Sequence, residues 1–161
     1  MPNLTPEQRA ERDINNTFGN RLTSEEHTLA VQIAKEIYYE YKAESKALAE
    51  WQGRVKQFEE DLDTRLSQAE TPSERAALRF ASLFLQDIAR QTASDIFSNP
   101  EESLICLERG IEHAENFLIQ GETAAGVREY VLRLYHNAGI TLGAAPFNDA
   151  ERKLKTYQRG I

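Results

Sequence analysis

Helix-start signals recur along this chain: a side-chain acceptor stands three residues ahead of a glutamate or glutamine. They read Thr5-Pro6-Glu7-Gln8, Thr23-Ser24-Glu25-Glu26, Thr71-Pro72-Ser73-Glu74, Asn99-Pro100-Glu101-Glu102 and Asn148-Asp149-Ala150-Glu151, with a weaker start at Glu122-Thr123. In each, the first side chain can accept from an orphan N–H of the opening turn, and the acidic or amide residue can reach back to the cap. Proline at the first helical position removes an N–H that had no intrahelical partner, so three of the starts carry two independent reasons to begin a helix. The expected fold is all-α, a helical bundle of five to six helices.

The most unusual stretch runs from Ser24 to about Ala69, with no proline and Gly53 as its only glycine. A heptad frame fits it. One seam position carries Ala34, Tyr41, Leu48, Val55, Leu62 and Ala69; its companion carries Ile37, Glu44, Trp51, Phe58 and Arg65. Gly53 falls opposite the seam, where it costs roughly 1 kcal/mol without obliging a break. An unbroken amphipathic helix over 24–69 is therefore expected, about 70 Å long at 1.5 Å per residue. The alternative is a break at Gly53 that folds the segment back as a hairpin. The other helices are shorter, so a straight rod would need a second copy of the chain to cover its apolar flank.

Other helices are expected at 6–15, 72–97, 100–120, 124–137 and 149–158. Helix 72–97, with Ala77, Ala81, Phe84, Leu85 and Ile88 on one face, is the expected centre of the core. Gly121 suits the left-handed end of helix 100–120, and Gly139 the end of the next, leaving an apolar loop over 140–147. Residues 1–20 read as a short N-terminal helical appendage that frays unless Ile14 and Phe18 dock, and 21–161 as a single all-helical domain.

A chain of 161 residues can bury a core without disulfides, and the single cysteine, Cys106, cannot pair internally. No charged-then-apolar leader is apparent and no apolar run is long enough to span a bilayer, so a cytoplasmic protein without membrane insertion is expected. The net charge of −7 opposes nonspecific binding to phosphate backbones, which argues against nucleic acid as a partner. The basic residues Arg152, Lys153, Lys155 and Arg159 read as the cationic end of a helix.

Signals for chemistry are sparse. His27, His113 and His136 form no His-x-x-x-His pair, and Gly110 and Arg133 stand where a diiron bundle would need glutamates three residues before histidine. Glu108, Glu112 and Glu115 share a helix face with His113, a pattern that reads as a solvated stripe, because oxygen-ligand sites draw carboxylates from several elements. Neither His113 nor His136 has the following basic residue of a phosphotransfer histidine. Cys106, in Leu104-Ile105-Cys106-Leu107, reads as a small buried hydrophobe. Phosphate loops, nucleophile elbows and zinc-type cysteine pairs are absent from the sequence. No metal, no cofactor and no enzymatic activity are expected.

The stretch 106–157 resembles the later helices of phycobiliproteins, globin-like light-harvesting subunits, through Cys106-Leu107-Glu108-Arg109, Gly121-Glu122-Thr123 and Leu142-Gly143-Ala144-Ala145-Pro146. The resemblance implies a globin-like arrangement and a pigment. The Arg-Asp pair that follows the pigment-linking cysteine in that family is absent, the interval from Cys106 to Gly121 is shorter, and the last family helix has no counterpart. No pigment-binding residue carries over.

Two functions follow from this reading. The first is a non-enzymatic adaptor, assembly or regulatory protein acting through protein–protein contacts and forming a homodimer along the long helix, with Tyr38, Tyr41, Leu48, Trp51, Val55 and Phe58 as the contact residues. The second is a pocket among the later helices for a small ligand or pigment, lined by Tyr130, Tyr135, His136 and Phe147.

Overall fold

Four of the predicted starts take the geometry their residues call for. The computed structural model describes residues 3–44, 47–121 and 125–143. Helix α1 (Pro6–Phe18) opens with a reciprocal box: Thr5 Oγ1 accepts from Gln8 N–H at 3.2 Å, and Thr5 N–H donates to Gln8 Oε1 at 2.9 Å. Thr23 and Glu26 repeat the box at the start of the next helix, α2, whose first part is Ser24–Ile33. Thr71 caps α4 (Pro72–Asp95) and Asn99 caps α5 (Pro100–Ile119), each with proline in the first turn. The start at Asn148, the helix expected at 149–158 and the weaker start at Glu122-Thr123 lie outside the described residues.

Helix α2 is continuous but not uniform. An α-helical part, Ser24–Ile33, passes into a π-helical segment, Ala34–Tyr39, and closes with Glu40–Ala43. Helix α3 (Leu48–Gln68) follows a break. The single helix expected over 24–69 is thus two helices, and the break falls between Ala43 and Leu48, not at Gly53. Glu44 is extended, with φ −132° and ψ 134°, and Ala47 is extended before the first turn of α3. At this break Glu44 is exposed, which spares the apolar seam a buried carboxylate.

After the break α3 runs back antiparallel to α2. Glu36 pairs with Arg54 at 3.0 Å, Trp51 Nε1 donates to Ile37 O at 3.0 Å, and Leu29 and Leu62 line one groove between the two helices. The cover that a straight rod would have drawn from a second chain comes from within this one.

Gly53 is exposed inside α3, and a Cβ there would meet nothing within 4 Å. Gly53→Ala is expected to stabilise the protein by about 0.5–1 kcal/mol, through helix propensity and a less flexible unfolded chain, read as a higher urea midpoint at unchanged m. Gly110 on α5 is the counterexample. A Cβ there would lie 3.2 Å from Gln86 Cβ, which is fixed to the neighbouring helix, so Gly110→Ala is expected to lower the same midpoint.

Helix α4 is the centre of the bundle and packs against α2, α3, α5 and α6 (Ala125–Gly143). Residues 80–87 are buried without interruption, so this stretch is enclosed on every side, as a central helix must be. Helix α1 docks on α2 with Ala10, Ile14 and Phe18 buried, which is the docking that the N-terminal helix was expected to need. Gly19, at φ 59°, and Gly121, at φ 83°, take left-handed backbone where α1 and α5 end, which side-chain-bearing residues adopt at a cost. Helix α6 continues past Gly139 to Gly143, beyond the expected end at 137, which removes the start of the loop expected at 140–147. Gly139 is buried inside the helix and does not end it.

Among the described residues no strand is present, and no helix is long and apolar enough to cross a membrane.

Candidate functional site

A cleft of about 360 Å³ opens between α1, the π-helical part of α2, α4 and α6. Its floor is aromatic. Phe18, Phe84 and Tyr130 lie with ring centroids 6.1 to 6.4 Å apart, and Phe80 packs edge-on against Phe18 and Tyr130. One wall is Tyr38 and Tyr39, 4.9 Å apart and nearly perpendicular. The wider π turn lets these consecutive residues both border the cleft, a use consistent with the frequent placement of such segments at functional sites.

The polar half of the cleft is organised around Asp87. This carboxylate is buried on α4, where a charge requires partners. Tyr130 donates to Oδ2 at 2.6 Å; Arg90 Nε and Asn137 Nδ2 donate to Oδ1 at 3.1 and 3.2 Å. Burial, and then the neighbouring Asp87 charge, push the Tyr130 hydroxyl well above its ordinary range, so it stays protonated and keeps donating. Tyr38 is pushed up to about 12 by burial and by its hydrogen bond to Asp95. Asp13, Asn16, Gln91 and Arg133 complete the rim, and the two carboxylates of the lining balance its two guanidinium groups.

The residues expected to form a dimer seam divide between core and cleft. Trp51, Tyr41 and Val55 are buried, with Trp51 and Tyr41 against Phe97 at 5.3 and 6.4 Å, and Leu48 and Phe58 are half-buried against the same core. Tyr38 borders the cleft. Of the residues expected to line a ligand pocket, Tyr130 is in the cleft floor. Tyr135 instead donates to Glu115 at 3.2 Å, His136 is exposed, and Phe147 lies outside the described residues. Sequence reasoning passed over Asp87, Arg133 and Asn137. Asp87 was detectable in principle, as a lone carboxylate inside the apolar run 80–89 of the central helix.

Outside the cleft, His27, Cys106 and His113 sit in packed or paired surroundings. His27 Nε2 lies 2.8 Å from Asn15 Oδ1 and ties α2 to α1. Burial pushes the Cys106 thiol up to about 12, which leaves it a packed hydrophobe and a poor nucleophile or attachment point. His113 stacks beside Phe117 and faces Glu59 of α3 at 3.9 Å; the expected carboxylate stripe on its own helix is not its main partner. Among the described residues no group of three or more His, Cys, Asp or Glu side chains could hold a metal ion.

The Glu59 carboxylate holds the His113 imidazole above its ordinary value, with Asp63 and Glu112 acting the same way, and His113 holds Glu59 below its own. The raised imidazole contributes stability that is complete below 6.5 and is lost as pH rises through its folded value; the lowered carboxylate contributes stability that is complete above 4.5 and is lost on acidification. The pair should therefore help most between those two values. Both side chains are partly exposed, so the expected difference between wild type and His113→Gln peaks there at about 1 kcal/mol or less, read from urea midpoints across pH.

Among the described residues the fold is an all-α bundle of six helices, with an aromatic-floored, polar-rimmed cleft bordered by a π-helical segment. No protein-family model matches the chain, and no curated protein or solved structure does so either. The resemblance of 106–157 to phycobiliproteins rests on the quoted residues alone.

Proposed function

We propose that this is a cytoplasmic, non-enzymatic helical binding protein whose cleft takes a small ligand with a planar apolar body. The observation that carries the reading is the Asp87 cluster: a buried carboxylate, held by three donors from two helices, at the edge of a floor built from three aromatic rings. Ligand pockets combine these ingredients, an apolar lining with a few placed polar groups. The described residues lining the cleft include no histidine or cysteine, which favours holding a ligand over transforming it.

The side-chain amides of Asn16, Gln91 and Asn137 are natural reporters. A panel of neutral planar aromatics, titrated into the labelled protein, is expected to shift these amide resonances together while those of exposed Gln52 and Gln57 stay fixed. Uniform silence at the cleft amides across the panel counts against the reading. An absorbance spectrum of natively purified protein tests the pigment variant: a band beyond the aromatic region supports it, and its absence in fully loaded protein counts against it.

A second reading, an adaptor, assembly or regulatory role through contact with a protein partner or a second copy, is favoured by a different observation. Ile105, Leu118 and Ile119 on α5 and Leu132 and Ile140 on α6 are exposed, Ile119 at 83 % and Leu132 at 59 %. Under this reading the contact lies on α5 and α6, because the aromatic seam of α2 and α3 is covered from within. Solution mass against concentration should show a dimer that Leu132→Glu dissociates; a monomer at every concentration removes the homodimer.

A further inference from the structure

The polar groups of the cleft differ in what they still lack, and that difference selects a ligand. Asp87 has about four acceptor positions, of which Tyr130, Arg90 and Asn137 use three. The position left over, on Oδ2, suits one more donor. Arg90 is paired in charge with Asp87 through its Nε–H. Arg133 is not: its guanidinium lies over the Phe18 and Tyr130 rings at 5.6 and 5.8 Å, and no described carboxylate pairs with it. A cation held over aromatic rings is attracted by them without being neutralised, so its N–H groups can still receive a carboxylate, bidentately where the fork is presented. Tyr130, Arg133 and Asn137 follow one another at three and four residues on α6, so the acceptor end and the cationic end border one surface. The remaining rim carboxylate, Asp13, hydrogen-bonds Arg12 at 3.3 Å.

Resting on the reading of the cleft as a ligand site, we propose that its ligand is an aromatic carboxylate bearing a hydrogen-bond donor at the far end, a phenol or an indole N–H. The carboxylate meets Arg133, the ring lies against the Tyr38 and Phe84 side, and the donor reaches Asp87. Neutral aromatics fill the floor but leave Arg133 without an anion. Aliphatic acids satisfy Arg133 and leave the rings uncovered.

The test is calorimetric titration of the full chain with 4-hydroxycinnamate and indole-3-acetate, each beside its primary amide, with the Asn137 side-chain resonance followed in parallel. Each acid is expected to bind about tenfold more tightly than its amide, and Arg133→Gln to bring acid and amide together, as removal of one charge-assisted pair requires. Arg133→Lys, which keeps the charge, guards against a folding artefact and should retain part of the preference. Cinnamate without its hydroxyl should bind more weakly than the 4-hydroxy compound. Equal binding of acid and amide, or a preference that survives Arg133→Gln, overturns the proposal while leaving the cleft a site for neutral aromatics. No shift at Asn137 with any compound overturns the proposal and the reading beneath it.

Discussion

Trp51→Ala is expected to lower the unfolding free energy by about 3–5 kcal/mol, near the upper end for a single core truncation. Trp51 is 0 % exposed, and its loss removes three things at once. The indole fills the angle between α2 and α3 just after the break between Ala43 and Leu48. Its ring packs 5.3 Å from Phe97, beyond the end of α4. Its Nε1 donates at 3.0 Å to the Ile37 carbonyl in the π-helical segment, which is also approached by the Thr92 hydroxyl at 3.2 Å. Removing one of two donors from a buried carbonyl costs less than orphaning it, so the cavity dominates the loss. Urea unfolding followed by far-ultraviolet circular dichroism gives the number, and sedimentation gives the mass beside it. A large drop in midpoint with unchanged mass is the expected pair of results. Unchanged stability together with a halved mass would instead place Trp51 at an interface between copies.

The second large effect concerns Asp87. Asp87→Ala is expected to cost about 2–4 kcal/mol, because it strands the buried Tyr130 hydroxyl and takes the counter-charge from Arg90. Arg90 is partly exposed and can turn to water, which keeps the figure below that of a fully buried ion pair. Asp87→Asn should cost about half as much, since an amide oxygen still accepts from Tyr130 while its NH2 faces the donors of Arg90 and Asn137. Near-ultraviolet circular dichroism should report the altered Tyr130 environment in both variants. Equal midpoints for wild type, Asp87→Asn and Asp87→Ala would mean that the cluster contributes nothing to stability.

Where elements begin was readable from the residues, because caps are local: Thr5, Thr23, Thr71 and Asn99 act on an N–H three positions away. The central place of α4 was also readable, from its broad apolar face. The break between Ala43 and Leu48 was not, since Ala43, Glu44, Ser45, Lys46 and Ala47 include neither proline nor glycine and α3 starts without a side-chain cap. Only the charge at a seam position hinted at it. The start of α3 is decided by tertiary contacts, Trp51 on Ile37 and Arg54 on Glu36, between residues more than a dozen positions apart. The cleft was partly readable. Tyr130 stood out as an aromatic, but its partners Asp87 and Asn137 come together only when α4 and α6 pack, and the contribution of Phe18 depends on α1 docking. The π-helical segment has no sequence signature that the hydrophobic pattern would disclose.

That segment has a further consequence. A π turn holds about one residue more than the α turn it replaces. Ala34–Tyr39 therefore acts as a phase adjuster, turning everything downstream of Ile33 about the helix axis relative to an unbroken α-helical continuation. Ile33 before it, Ala34, Ile37 and Tyr38 within it, and Tyr41 after it are all buried in the core. Removing a single amino acid from this stretch would leave composition and charge almost untouched, yet it would rotate Tyr41 and the approach to the bend out of alignment with the rest of the bundle. Length is thus a stricter requirement than identity at these six positions, and variants of this protein should tolerate exchanges there more readily than deletions.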